Sequence, residues 1–226
     1  NSAIKKGETL IDTAMTLNAM HPDIIVIRHQ DSGACNLLSQ KVNCVVLNAG
    51  DGRREHPTQA LLDALTIRNR KKKIQGLKIA ICGDILHSRV AKSLIYALNI
   101  LSTKEINIVG PSKLIPENYE DMNVNYFSDM DEGVDGSDVI IMLRLQKERM
   151  HDALISMDSY YEDYGLNQSR LKLANKDVIV MHPGPINRGI EIESSVADGP
   201  NSVILNQVSY GISVRMAIMS ILFDNN

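Results

Sequence analysis

Short runs of β-branched and aliphatic residues alternate along this chain with longer stretches whose apolar positions recur at helical spacing. Ile24 to Ile27, Cys44 to Leu47, Leu77 to Cys82, Ile106 to Val109, Val124 to Phe127, Val139 to Leu143 and Val178 to Met181 read as strands. Between them, Leu10, Ile11, Ala14, Met15 and Leu17 share the face of a first helix, and Ala34 to Gln40 predict a short second one. Leu61, Leu62, Leu65 and Ile67 follow Pro57 in a third helix, and a fourth runs from Arg89 to about Leu101. A closing helix takes its N-cap from Asn201 or Ser202 and carries Val203, Ile204, Val208, Ile212, Met216, Met219 and Leu222. Strands in alternation with helices predict an α/β protein with parallel sheets and right-handed crossovers. The charged run Arg68 to Lys73 breaks the pattern. It reads as a solvated connector and divides the chain into units 1–70 and 71–201, with the closing helix 202–226 packing back on the first.

The chemistry gathers where strands give way to helices. After the run Val45-Val46-Leu47, Gly50 and Gly52 permit a tight turn, and His56-Pro57-Thr58-Gln59 opens the next helix. Such a joint presents backbone N–H groups and polar side chains at the carboxyl edge of a sheet, where anions collect in α/β proteins. His56 and Gln59 stand three apart and can face one ligand together; the plainer reading is that Pro57 starts the helix and His56 caps it. Arg28 ends another strand, where a cation is costly unless it meets an anion, a partner such as Asp51, or water. Arg89, Arg144 with Gln146, and His182-Pro183-Gly184-Pro185 lie at the ends of three more. Arg144 could grip a carboxylate with two parallel hydrogen bonds or pair with Glu148. So many cations at strand ends, in a chain of net charge −3, predict a local site for a multiply charged small anion.

Composition narrows the field. With 226 residues, 44% of them hydrophobic, the chain can bury a sizeable core. Its acidic balance offers no bulk attraction to nucleic acid or to a membrane surface, and no apolar stretch reaches spanning length. Cys35, Cys44 and Cys82 form no CxxC pair and read as reduced core residues of a cytoplasmic protein. His56, His87 and His182 lack the close pairing of a zinc site, and no nucleophile elbow or cysteine motif suggests covalent catalysis. Glu191 and Glu193 read as a solvated face. Gly83-Asp84-Ile85 follows a strand without a G-x-G-x-x-G, and the chain contains no P-loop, so nucleotide binding is not indicated.

The stretch Asn48-Ala49-Gly50-Asp51-Gly52 with His56-Pro57-Thr58-Gln59 and Leu61-Leu62-Asp63 resembles the carbamoyl-phosphate loop of the aspartate and ornithine carbamoyltransferases. The other stretches match aspartate carbamoyltransferase catalytic chains in order along essentially the whole length. The resemblance implies two Rossmann-like lobes with parallel sheets flanked by helices, one binding carbamoyl phosphate and the other aspartate. Arg28 would touch phosphate and carbamoyl oxygen, His56 would bind the carbamoyl oxygen, and Gln59 the carbamoyl amide. Arg89 would hold the aspartate α-carboxylate, Arg144 with Gln146 its second carboxylate, and the carbonyls of Pro183 and Gly184 would face the amine and carbamoyl group. Ser2 and Lys6 would reach a site shared with a neighbouring subunit, which implies a homotrimer; regulatory or pathway partner chains are also compatible. No cofactor or metal is implied.

The family pattern also contains a Ser-Thr-Arg-Thr loop ahead of the first strand read here, and this sequence has no such stretch. The first lobe is therefore expected to be incomplete and to expose apolar surface. Two other readings stay open. Ornithine carbamoyltransferases would show a Ser-Met-Gly-like loop and His-Cys-Leu-Pro in place of His182-Pro183-Gly184-Pro185, and a non-catalytic chain of the same fold would only bind or assemble.

Overall fold

The structure is a computed structural model that describes residues 9–145 and 157–224, and every strand within them pairs parallel with its neighbours. Strands β1 (Ile24–His29) and β2 (Val45–Asp51) form a two-stranded sheet that runs in register from Ile24 opposite Val45 to Ile27 opposite Asn48. The second sheet contains β3 (Lys78–Cys82), β4 (Glu105–Val109), β5 (Asn125–Phe127), β6 (Val139–Met142) and β7 (Ile179–Met181), in the order β5-β4-β3-β6-β7. Its first strand in sequence, β3, lies between β4 and β6. Connections therefore leave β3 in opposite directions and open a crevice at the carboxyl ends of β3 and β6.

Four helices precede β4 or fill the crossovers: α1 (Leu10–Asn18), α2 (Ala34–Ser39), α3 (Pro57–Lys71) and α4 (Arg89–Ile100). Shorter pieces follow as α5 (Met130–Val134), α6 (Met157–Tyr164), α7 (Gln168–Leu171) and α8 (Ser194–Ala197), before α9 (Ile204–Asp224) closes the described chain. Both faces of the larger sheet are covered. Ile79, Ile81, Ile108 and Ile141 pack with Leu94, Ile95 and Leu98 of α4 and with Ala60, Ala64 and Ile67 of α3. On the opposite face, Ala80, Cys82, Val109, Ile140 and Met142 meet Met130, Val134 and Val196. Burial on two sides is why these strands read as unbroken aliphatic runs rather than as alternations. A smaller core of Ala14, Ile27, Cys35, Leu38 and Val42 lies under the two-stranded sheet.

The structure departs from the sequence reading in three places. Helix α3 runs through the charged run to Lys71, and Lys72 ends it in the left-handed conformation with φ +67°. Part of that run is engaged rather than solvated: Lys71 Nζ lies 2.8 Å from Asp177 Oδ2, and Arg70 donates to Asn206. The closing helix begins only at Ile204, because Asn201 is held at the sheet edge, its carbonyl accepting the Val180 N–H at 2.8 Å and its Nδ2 donating to the Val178 carbonyl at 2.8 Å. Helices α5 and α7 are too short to carry a periodic signal and rely on caps, Asp129 Oδ1 accepting the Glu132 N–H and Asn167 Oδ1 accepting the Arg170 N–H.

Helix α3 is buried on two flanks. One flank feeds the large core, and the other meets α9, where a Cβ added at Gly211 would lie 3.4 Å from Leu62 Cδ2. The outer face of α9 is apolar yet exposed, with Leu205, Val208, Ile212 and Met216 spaced along one side of the helix. Ile67 is fully buried at the α3–sheet contact, whereas Leu61 is 50% exposed on the same helix. Ile67→Ala should therefore lower the unfolding free energy by about 2–5 kcal/mol, and Leu61→Ala by no more than about 0.5 kcal/mol, as read from urea unfolding midpoints at constant slope.

Candidate active site

The carboxyl ends of β1, β2, β3, β6 and β7 lead into one cavity of ≈ 620 Å³. Arg28, His56, Gln59, Arg89, Arg144, Pro183 and Gly184 all line it, together with Gln30, Gly52, Arg53, Asp84, His87, Ser88 and Arg215. Seven residues singled out from sequence thus come together from both sheets. Ser2, Lys6 and Gln146, together with Glu148, lie outside the described residues.

Each side chain is held by its element. Arg28 is the penultimate residue of β1, and its Nη1 donates to the Ala49 carbonyl at 3.4 Å. Asp51 does not pair with it: both carboxylate oxygens accept the Gly33 N–H, at 2.9 and 3.0 Å. Arg89 is the first residue of α4, whose N-cap Ser88 accepts the Ala91 N–H at 3.1 Å. The Arg89 guanidinium donates to the Gly52 carbonyl at 3.0 Å and lies across Gly50, where a Cβ would sit 2.6 Å from its Cζ. Gly50 also adopts φ +134°, so that position excludes other residues on two grounds. Arg144 follows Leu143 just past β6, exposed at the cavity rim.

His56 does occupy the N-cap of α3, but its side chain makes no capping bond. Its backbone N–H donates to Ser93 Oγ of α4 at 2.8 Å, and its Nδ1 is buried without a partner among the described residues. Burial first, and then the positive charges of Arg89, Arg28 and Arg215, lower its pKa to about 4. At neutral pH the cavity therefore holds an uncharged imidazole, which can donate an N–H without adding charge. Gln59, one turn further on, donates Nε2 to Asp63 Oδ1 at 3.0 Å.

The Pro183–Gly184 turn is fixed through His182. The Gly184 N–H donates to His182 Nδ1 at 2.8 Å, so the ring proton sits on Nε2 and is donated to Glu191 Oε1 at 3.2 Å. Glu191 is consequently a wholly buried anchor and not part of a solvated face. The reason lies in the backbone: Leu166 and Ile192 form a parallel bridge that draws this segment inward. Glu193 is only partly exposed, and its Oε1 accepts the Ser195 hydroxyl at 2.7 Å.

Several lining residues escaped the sequence reading. Arg53 belongs to the glycine loop, and Asp84 to the turn after β3, where its Oδ1 accepts the His87 N–H at 3.0 Å. Arg215 comes from α9, where it is the one charged residue between Ile204 and Phe223, and that isolation was the available signal. In sum, among the described residues five arginines and a single carboxylate, Asp84, border the cavity. Such a lining can bind two anionic groups side by side and stabilise charge that develops between them. Among the described residues no three His, Cys, Asp or Glu side chains cluster as metal ligands.

A cation-lined crevice at the carboxyl ends of two parallel sheets defines a binding site for small anions in an α/β protein. Residues 1–69 match the carbamoyl-P binding domain of aspartate/ornithine carbamoyltransferase, and residues 75–222 match its Asp/Orn binding domain. The chain belongs to the aspartate/ornithine carbamoyltransferase family. It is 66% identical over 226 residues to the aspartate carbamoyltransferase catalytic subunit of Pelagibacter ubique (strain HTCC1062), covering 99% of this chain and 72% of that protein. The catalytic subunit of Allorhizobium ampelinum is 58% identical over 229 residues, covering 100% of this chain and 72% of that one. Among solved structures, aspartate transcarbamoylase from Trypanosoma cruzi in complex with carbamoyl phosphate superposes with a TM-score of 0.86 at 35% identity, over 98% of this chain and 71% of that chain. The same enzyme in complex with N-(phosphonacetyl)-L-aspartic acid gives 0.85 at 35% identity, over 98% and 71%.

The depressed basicity of His56 has a stability consequence. The unfolded chain takes up a proton near pH 6.5 that the folded chain refuses until about pH 4, so the folded state loses stability as pH falls through that window and is unaffected above it. Between pH 7 and 4.5, His56→Gln should remove about 2–3 kcal/mol of the wild-type decline in unfolding free energy. Equal declines in the two proteins, or a His56 ring titrating near 6.5 by NMR, would contradict this.

Proposed function

We propose that this chain transfers the carbamoyl group of carbamoyl phosphate to the amine of L-aspartate, giving N-carbamoyl-L-aspartate and phosphate. The observation that carries the reading is the convergence of Arg28, His56 and Gln59 with Arg89, Arg144 and the Pro183–Gly184 turn on one cavity. Residues 1–70 with α9 form the carbamoyl-phosphate half in this reading, and 71–201 the aspartate half. The aspartate amine attacks the carbamoyl carbon, a tetrahedral oxyanion forms, and phosphate leaves. Arg28 and the neutral His56 donate hydrogen bonds to that oxygen, while Arg89 and Arg144 hold the two carboxylates of the nucleophile. Departing phosphate accepts the amine proton, so no side-chain base is assigned.

Ornithine fits less well, because its far end is an ammonium group that five arginines would repel. A chain that only binds is distinguished by turnover. Supplied with carbamoyl phosphate and either amino acid, the protein should form the ureido product from aspartate and little from ornithine. Arg144→Ala should lower kcat/KM for aspartate about 100-fold while changing KM for carbamoyl phosphate far less. Preference for ornithine, or no ureido product from either amino acid, would overturn the reading.

The family resemblance further supports a homotrimer whose neighbouring chains share each site through Ser2 and Lys6, open to regulatory or pathway partner chains. The exposed apolar faces of α9 and α1 suit such association. Three free cysteines suit a reducing cytoplasm, and among the described residues no helix is long and apolar enough to cross a membrane. Sedimentation should find the activity in a species of three chains; an active monomer would count against a shared site.

A further inference from the structure

Behind the cavity runs a buried line of hydrogen bonds that the reaction above does not use. The backbone N–H of His182 donates to Gln207 Oε1 at 3.0 Å, and Gln207 Nε2 donates to Asp63 Oδ1 at 2.7 Å. The same oxygen accepts Gln59 Nε2 at 3.0 Å. All three side chains are buried, and the line joins the turn after β7 to the first turn of α3 through α9.

The two amides in this line could each be flipped in isolation, but the backbone N–H cannot. It is a donor, so Gln207 must present its oxygen to it and its NH2 to Asp63. The Asp63 oxygen then accepts from both glutamines, and Gln59 must turn its NH2 inward. Burial pushes the Asp63 carboxyl up to about 7, against the two hydrogen bonds that lower it. Its other oxygen, Oδ2, is buried without a partner among the described residues, so the line runs through Oδ1.

We propose that Asp63 is a positioning residue: held by Gln207, which the His182 N–H fixes in turn, its Oδ1 accepts from Gln59 Nε2, and the Gln59 amide oxygen is thereby turned to the cavity, where it selects acyl phosphates bearing an N–H beside the carbonyl. The inference rests on the carbamoyl-transfer reading and deepens it. A fixed acceptor rewards a carbamoyl group and leaves a methyl ketone-like acyl group with nothing to donate. Discrimination of this kind is large because the rejected ligand strands a polar atom.

The test uses the full-length enzyme and acetyl phosphate, isosteric with carbamoyl phosphate but carrying CH3 for NH2. The readout is Ki for acetyl phosphate, competing with carbamoyl phosphate, divided by KM for carbamoyl phosphate. Gln59→Leu should lower this ratio about tenfold or more. Asp63→Leu should lower it to the same level, the double variant no further, and Asp63→Asn, which keeps an acceptor under the same backbone control, should hold it within about twofold of wild type. Gln207→Leu, which removes the donor that holds Asp63 but leaves Asp63 itself and the cavity-lining residues in place, should lower the ratio several-fold, and it decides the matter where Asp63→Leu does not fold. A wild-type ratio in Asp63→Leu or in Gln207→Leu, or an Asp63→Asn as unselective as Gln59→Leu, would overturn the proposal. A wild-type enzyme that makes no carbamoyl aspartate would instead overturn the reading on which it rests.

Discussion

Everything in the cavity depends on how helix α3 is wedged between α4 and α9. Ala60, Ala64 and Ile67 face the large core, and the two alanines are small enough for close approach to α4. Once that stripe is buried, the helix cannot rotate without exposing it. Gln59 and Asp63, four apart, must then share the flank turned to Gln207, while Leu62 meets α9 at Gly211. Apolar packing thus sets the angular position of polar groups to within a fraction of a turn, as a site that must orient small ligands demands.

The second constraint is electrostatic. Five arginines around one cavity repel each other, and a chain of net charge −3 does nothing to relieve that locally. Backbone carbonyls supply part of the relief: Arg28 points Nη1 at Ala49, within β2, and Arg89 at Gly52, in the turn after it. These carbonyl contacts also aim the guanidinium groups before any ligand arrives, so less reorganisation is left for binding. Burial, and after it the same field, keeps protons off His56. A charged imidazole would be one cation too many, whereas a neutral one remains a donor to a developing oxyanion.

Much of this was legible in the residue order. The seven strands of the described residues were visible, β3, β6 and β7 most plainly because parallel strands buried on both faces are unbroken aliphatic runs, and the site residues because cations at the ends of strands stand out. Boundaries were less legible. The basic run at Arg68 to Lys73 reads as a break in pattern, but nothing local says that Asp177 lies 106 positions on to receive Lys71. Glu191 looked like surface because carboxylates are seldom fully buried without a partner, and only the His182 contact and the Leu166–Ile192 bridge make it interior. Arg215 was hidden by a helix whose periodicity describes packing and not chemistry.

What no reading of residue types could supply is the sense of each hydrogen bond. A glutamine is equally a donor and an acceptor, and its sequence position does not say which end meets the ligand. Here that sense comes from Asp63, which accepts from Gln59 and is itself held through Gln207 by a backbone N–H more than 120 residues from Gln59, at His182. Asp63 is suited to this place because its Oδ1 accepts from Gln59 and Gln207 at once. The polarity of the site is therefore a property of the fold, fixed only when α3, α9 and the end of β7 are packed together.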